Sequence, residues 1–119
     1  MPWTEILDCL KRMGYISHQA GTCGLHVHIS RAAFGASEGE QDAAIARVLF
    51  FVEQYWAKLL KFSRCPQRQL ERWAARYGHK DRPKEILDYV KKGYGAGRYT
   101  CVTLQNETTI EFRIFLAAP

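Results

Sequence analysis

The residues best suited to chemistry lie in two short stretches with the alternation of β-strands, one near each end of the chain. The first stretch, GTCGLHVHIS at 21–30, carries His26 and His28 two positions apart. Because alternate side chains of a strand point to opposite faces, both imidazoles are expected on one face, and Leu25, Val27 and Ile29 on the other, packed against helices. A single histidine in a strand more often packs than reacts, but two on one polar face favour a metal-binding or catalytic role.

The second stretch, TTIEFRIF at 108–115, alternates in the same way. One face is predicted to be apolar, to pack against helices and to carry Ile110, Phe112 and Ile114. The opposite face is predicted to carry the polar side chains and one aromatic ring, namely Thr109, Glu111, Arg113 and Phe115.

If the polar faces of both strands look the same way, two histidines, a glutamate and an arginine gather on one open sheet face. Imidazole and carboxylate bind metals and guanidinium binds anions, so this face predicts a metal and an anionic ligand. Without the histidines, Glu111 and Arg113 favour a cross-strand ion pair on a solvated face.

The segments around these strands predict the scaffold that positions them. Ile45, Leu49 and Val52 recur at three- and four-residue steps, which indicates one buried helical face. The predicted helices cover 3–13, 40–62, 67–77 and 84–92, and the predicted strands cover 25–29, 99–104 and 109–115. This order predicts an α+β fold, a small, mainly antiparallel sheet with helices packed on one face. Phe51 falls on the polar stripe of the long helix, which predicts contact with a neighbouring helix or a partner chain.

Length and composition limit the class of protein. The 119 residues predict a single domain, 1–119, in which a helical insertion at about 40–92 separates the first strand from the C-terminal hairpin. No run approaches the roughly 20 apolar residues of a membrane helix, and the N-terminus lacks the apolar segment of a signal peptide. The four cysteines include no CxxC pair and are expected to be free thiols. We therefore predict a cytoplasmic protein with no membrane partner.

Positive charge is concentrated in the second half of the chain. The net charge is +5, but 12 basic and 4 acidic residues lie between Lys58 and Arg98, a local net charge of +8. Such an excess indicates an anionic partner, either a nucleic acid or a nucleotide phosphate. A solvated helix surface is the more common explanation for most of these side chains. The alternative function is a non-catalytic nucleotide- or nucleic-acid-binding module that uses the segment 58–98.

Competing chemistries find less support. Cys23 has zinc-ligand spacing to the two histidines, but strand alternation places it on the apolar side. A two-histidine phosphoesterase needs two H-x-[ST] units, and the sequence contains one, at 28–30. The glycine-rich loop 93–97 lacks GK[ST] and precedes a strand, so a flap beside the site or a plain surface loop is expected rather than a phosphate cradle.

Taken together, the two strands resemble the amidoligase family, which belongs to the glutamine-synthetase-like carboxylate–amine ligases. The matching motifs are G-x-H-x-H within CGLHVHIS (23–30) and T-[IV]-E-F-R within RYTCVTLQNETTIEFRIF (98–115), which opens on an Arg-Tyr pair. The resemblance runs from about Thr22 to Phe115 and rests on its two ends. It implies that the sheet is part of a glutamine-synthetase-like catalytic fold.

The resemblance also implies an activity, cofactors and residue roles. Family members are expected to use ATP and a divalent metal, Mg²⁺ or Mn²⁺, to phosphorylate a small-molecule or peptide carboxylate, and an amine then attacks the acyl phosphate to give an amide. By similarity, His26 and Glu111 ligate the metal, whereas His28 and Arg98 contact the nucleotide phosphates. Arg113 holds the carboxylate or the transferring phosphoryl group, so that Arg113 and Glu111 are the catalytic residues.

The sequence departs from the family pattern at both ends. The family normally begins with an acidic E-x-E strand that supplies further metal carboxylates, and residues 1–21 contain none. The chain stops soon after Phe115, where the family's fold continues, so we expect a fragment or a reduced relative. One glutamate with one or two histidines is a poor cage for Mg²⁺. We therefore expect weak metal binding, with a homodimer as one way to complete the site between two chains.

Overall fold

The computed structural model describes residues 2–15, 24–78, 80–92 and 99–115. Its helices are α1 (Trp3–Arg12), α2 (Glu38–Gln54), α3 (Trp56–Ser63), α4 (Gln67–Trp73) and α5 (Pro83–Lys91), with a short 3₁₀ helix at Arg31–Phe34. Its strands are β1 (Leu25–Ser30), β2 (Val102–Thr103) and β3 (Thr109–Phe115). The predicted α+β class is confirmed. None of the described helices is long and apolar enough to cross a membrane.

The three strands form one antiparallel sheet in the order β1-β3-β2, so that β3 is the central strand. In the β1–β3 pair, Val27 lies opposite Phe112 and His28 lies opposite Glu111. The register shifts beyond Phe112, where β3 contains one residue more than β1, and Leu25 faces Phe115. This local bulge rotates the end of β3.

The bulge corrects one prediction. Phe115 was expected on the polar face with Glu111, but its ring packs near the core and makes an edge-to-face contact with Phe62 of α3, with ring centroids 6.1 Å apart. Alternation therefore holds along β3 only as far as Ile114, which is buried. The extra residue then turns Phe115 onto the helix side of the sheet.

The helices pack on one face of the sheet, and the core lies between the two layers. The fully buried residues of this core come from α2, α5, β2 and β3 and include Ile45, Leu49, Ile86, Val102 and Ile110. Helices cover β3 but not the first half of β1, since Leu25 is 51% and Val27 is 37% exposed. The expectation that both strands bury a continuous apolar face is therefore wrong for β1, where only Ile29 packs against the core.

The long helix predicted at 40–62 is in fact two helices that meet at Tyr55. In an unbroken helix the carbonyl of Glu53 would accept the N–H of the residue four positions later. Here that carbonyl accepts a hydrogen bond from the guanidinium of Arg76 at 3.0 Å. A tertiary contact thus takes the place of one helical bond, and Leu59 and Leu60 of α3 pack against the core.

A capping box begins α2 two residues earlier than the periodicity predicts. The hydroxyl of Ser37 accepts the N–H of Glu40, and the Glu40 carboxylate accepts the N–H of Ser37. A Cβ on Gly35 would lie 2.5 Å from that of Glu40, so this approach requires glycine. Bonds from the Ser37 N–H, the Ser37 hydroxyl and the Ala36 N–H hold the pKa of Glu40 below its ordinary value of 4.5.

We expect Glu40→Gln to destabilise the protein at neutral pH, because an amide accepts these bonds more weakly than a carboxylate. The lowered pKa makes this contribution fully present above pH 4.5, and it disappears as pH falls through the pKa of the folded state. Urea unfolding should therefore show a gap between variant and wild type that narrows in acid. Glu38→Gln, in the same helical turn, is the matched control. A gap of equal size at both pH values would contradict the assignment.

Candidate functional site

The pairing of β1 with β3 brings the two histidines and the glutamate together on the polar face. The Nδ1 atom of His26 lies 2.9 Å from the Oε1 atom of Glu111, and the Nε2 atom of His28 lies 3.7 Å from the same oxygen. The side chains of His26 and His28 are 38% and 47% exposed, whereas that of Glu111 is 12% exposed. Both imidazoles therefore border solvent beside a carboxylate that the sheet holds in place.

Glu111 is fixed by its position on the central strand. Its neighbour on β1 is His28, and its neighbour on β2 is Thr103, which is buried. The adjacent residues of β3, Ile110 and Phe112, pack into or against the core on the other side of the sheet. Packing on one side and strand pairing on both edges fix the backbone at Glu111, and its side chain is 12% exposed and paired with His26, which suits a ligand or charge-positioning role.

Thr109 contributes to the site by contacting His28. The sequence placed this residue on the polar face but gave it no role. Its hydroxyl lies 3.2 Å from the Nδ1 atom of His28. With Nδ1 engaged there, the Nε2 atom is the ring nitrogen on the side of Glu111. The sequence signal was the position of Thr109 on the polar face, two residues before Glu111.

Arg31 is a second contributor that the sequence did not reveal. One guanidinium nitrogen donates to the carbonyls of Leu104 and Asn106, at 2.9 and 3.0 Å. The backbone N–H of Arg31 donates to the carbonyl of Thr108 at 2.9 Å. These bonds tie the loop before β3 to the end of β1, and thus hold the strand register that pairs His28 with Glu111.

Arg113 lies two residues beyond Glu111 on β3, in the stretch between Phe112 and Phe115 where the register shifts. Its backbone N–H donates to the carbonyl of Cys101, and its guanidinium carbon lies 5.8 Å from the centre of the Tyr99 ring. The arginine is thus oriented by the segment around β2, whereas the histidines come from β1.

Several sequence predictions fall on residues outside the described ranges. These are the phosphate contact predicted for Arg98, the orientation predicted for Cys23 and the role of the glycine-rich loop 93–97. They remain predictions. Of the cysteines within the described ranges, Cys9, Cys65 and Cys101 are free thiols, as expected.

The donor atoms fit a cation in part. Two adjacent ligands of an octahedral ion, each about 2.1 Å from it, stand about 3 Å apart, and the His26 and Glu111 donor atoms are 2.9 Å apart. His28 is more distant from the carboxylate. Among the described residues, no group of three or more His, Cys, Asp or Glu side chains is arranged to hold a metal ion. In the structure His26 and Glu111 pair with each other at this distance. A cation would have to replace that contact, and the mixed nitrogen and oxygen donors suit Mn²⁺ better than Mg²⁺.

Much of the basic segment has partners within the chain. Cations lie near aromatic rings in four pairs, Lys58 with Tyr55, Arg72 with Trp73, Arg76 with Trp56 and Lys80 with Tyr89. Ion pairs join Arg76 to Glu53, Arg82 to Glu85 and Lys91 to Asp42. Part of the positive charge therefore takes part in contacts within the fold.

The chain matches no protein-family model, no curated protein and no solved structure. The residues and their geometry therefore carry the functional argument.

Proposed function

We propose that the chain is an ATP- and divalent-metal-dependent carboxylate–amine ligase, or a reduced relative of one, acting in the cytoplasm. The cation and the nucleotide phosphates would bind on the face formed by His26, His28 and Glu111. The observation that carries the proposal is the 2.9 Å separation of the His26 Nδ1 and Glu111 Oε1 atoms on one open face. The resemblance of the two strand motifs to amidoligases supports the same reaction class.

The residues divide the work by their chemistry. His26 and Glu111 supply one nitrogen and one oxygen ligand, and a cation bound there would offset the negative charge of the phosphates. His28, held at Nδ1 by Thr109, presents its other edge to an anion beside the carboxylate. Arg113 would bind the substrate carboxylate or the γ-phosphoryl group, with Arg98 a further phosphate contact.

The reaction has two balanced steps. A carboxylate oxygen of the substrate attacks the γ-phosphorus of ATP, the bond to the bridging oxygen breaks, and ADP leaves. An amine nitrogen then attacks the carbonyl carbon of the acyl phosphate, the bond from that carbon to the phosphate oxygen breaks, and the nitrogen loses a proton. Arg113 would stabilise negative charge on the phosphoryl oxygens in both steps.

Calorimetric titration with ATP, with and without Mn²⁺ or Mg²⁺, tests the proposal. We expect ATP binding that requires the cation and weakens at least about 10-fold in the His26→Ala/His28→Ala variant. His26 is the proposed metal ligand, and His28 is the proposed contact to the nucleotide phosphates. The variant His18→Ala/His79→Ala has the same composition and is the matched control. ATP binding that does not depend on the cation and is retained in His26→Ala/His28→Ala would overturn the proposal.

The alternative function predicts another outcome in the same variant. A nucleic-acid-binding module would bind DNA or RNA with strong salt dependence, and removal of the two histidines would leave that binding unchanged. Contacts with aromatic rings leave the charge of Arg72, Arg76 and Lys80 intact, so the effect of the histidine variant on binding decides between the two functions.

A further inference from the structure

Helix α1 carries an apolar stripe that the rest of the described chain leaves open. Trp3, Leu7, Leu10 and Met13 lie at three- and four-residue spacing and are 78%, 52%, 37% and 66% exposed. No residue of α1 is buried. Ordinary surface helices pack such a stripe against a core. An amphipathic helix with this much open apolar surface indicates a missing partner surface.

The helix side of the sheet contains a matching surface. An open apolar groove of about 400 Å³ runs between α2, α3 and β3, and Phe51, Phe62, Phe112 and Phe115 contribute to its walls. Phe51 and Phe62 are 52% and 73% exposed. Phe51, which falls on the polar stripe of the helix predicted from the sequence, thus lies on the wall of this groove.

Strand β1 extends the groove. Val27 lies opposite Phe112, and Leu25 lies opposite Phe115, so both aliphatic side chains share the face of the rings that line it. Both are well exposed. The helix layer thus ends before the sheet does, and the uncovered strip next to α2 and α3 has room for another helix.

The helix is long enough to cover the open strip. A helix of 10 residues is about 15 Å long, and the exposed part of β1, from Leu25 to Val27, extends about 7 Å. Within one chain no residue of α1 is buried, and Trp3 is the most exposed of the large apolar residues in the described ranges. The chain therefore presents both halves of an apolar contact without joining them.

We infer that two copies of the chain associate by placing α1 of each copy in the apolar groove of the other. One tryptophan and three further apolar side chains at these exposures present roughly 400 Å² per helix. Covering that area and an equal area of groove, in both directions, buries roughly 1,600 Å², the size of a standard specific interface. Exchange of an identical element between copies is a common route to such dimers. The polar face with His26 and Glu111 stays open, because the groove lies on the other side of the sheet.

Sedimentation equilibrium over the micromolar range tests the inference. We expect a monomer–dimer equilibrium for the wild type, and a dissociation constant at least about 100-fold higher for Leu7→Asp and for Phe62→Asp, because each places a charge in both apolar contacts. Both positions are highly exposed, so the substitutions leave the core intact, and circular dichroism checks that each variant is folded. Thr4→Asp adds the same charge to α1 outside the stripe and should dimerise like the wild type.

Mixing the two variants separates exchange from contact within one chain. Leu7→Asp retains a sound groove and Phe62→Asp retains a sound α1, so the mixture should form a heterodimer with one of the two contacts, although each variant alone is monomeric. A monomeric wild type would overturn the inference and point to α1 docking in its own chain. A dimer that persists in both variants would overturn it in favour of another surface.

Discussion

Replacing Arg76 with alanine is expected to lower the free energy of unfolding by about 3 kcal/mol, because it strands a buried carboxylate. The side chain of Glu53 is only 1% exposed, and its Oε2 atom accepts a hydrogen bond from the Nε atom of Arg76 at 2.8 Å. The backbone N–H of Tyr77 also donates to this carboxylate, at 2.7 Å, but that bond does not neutralise its charge.

The effect is expected to be large because the pair joins distant parts of the fold. Glu53 belongs to the end of α2, whereas Ala75, next to Arg76, bonds through its backbone to Tyr99 and Cys101 ahead of β2. The hydroxyl of Tyr77 bonds to the carbonyl of Val102 in β2 itself, and burial raises the pKa of Tyr77 to about 12. Loss of the ion pair therefore weakens the attachment of the helices to the sheet.

Urea unfolding measures this effect, with Arg72→Ala as the control. Arg72 is exposed and stacks on Trp73 without a buried acid, so its removal should cost less than about 1 kcal/mol. Equal losses in the two variants would show that Glu53 does not depend on its partner.

Replacing Glu111 with glutamine is expected to reduce Mn²⁺ affinity by more than about 10-fold and to leave the folded structure unchanged. Glutamine has the same shape and can still bond to His26, but it supplies a neutral oxygen in place of a charged ligand. Affinity in the wild type should also fall as pH falls, because imidazole binds a metal only when it is deprotonated. Calorimetric titration with Mn²⁺ measures both effects.

Glu107→Gln is the matched control for this substitution. Glu107 is exposed in the loop before β3, and its replacement removes the same charge without touching the proposed site. Equal Mn²⁺ affinity in Glu111→Gln and Glu107→Gln would remove Glu111 from the set of ligands.

Local rules predicted which side chains of each strand share a face. Strand alternation has a period of two and depends on the backbone alone, so His26 could be grouped with His28 within β1. Grouping them with Glu111 required the two polar faces to coincide, and the pairing of β1 with β3 meets that condition. Their separations could not be predicted, because these depend on the register between strands far apart in the chain. Arg31 helps to hold that register and Thr109 contacts His28, and neither role can be predicted from the residue type.

The elements that were predicted wrongly depend on contacts between distant parts of the chain. At the break near Tyr55 the carbonyl of Glu53 accepts a bond from Arg76, a contact between distant residues that no periodicity in the helix encodes. The position of Phe115 depends on a bulge that appears only when β3 pairs with β1. The start of α2 is different, because the Ser37-x-x-Glu40 pattern was readable and is a known signal of a helix N-terminus.

Paramagnetic line broadening by Mn²⁺ tests the claim that His26 and Glu111 form a cation site most directly. The chain has four histidines, so the other two serve as internal references. At low Mn²⁺ the ring signals of His26 and His28 should broaden first, and Glu111→Gln should abolish the selectivity. Broadening spread evenly over all the histidines, or unchanged in Glu111→Gln, would contradict the account.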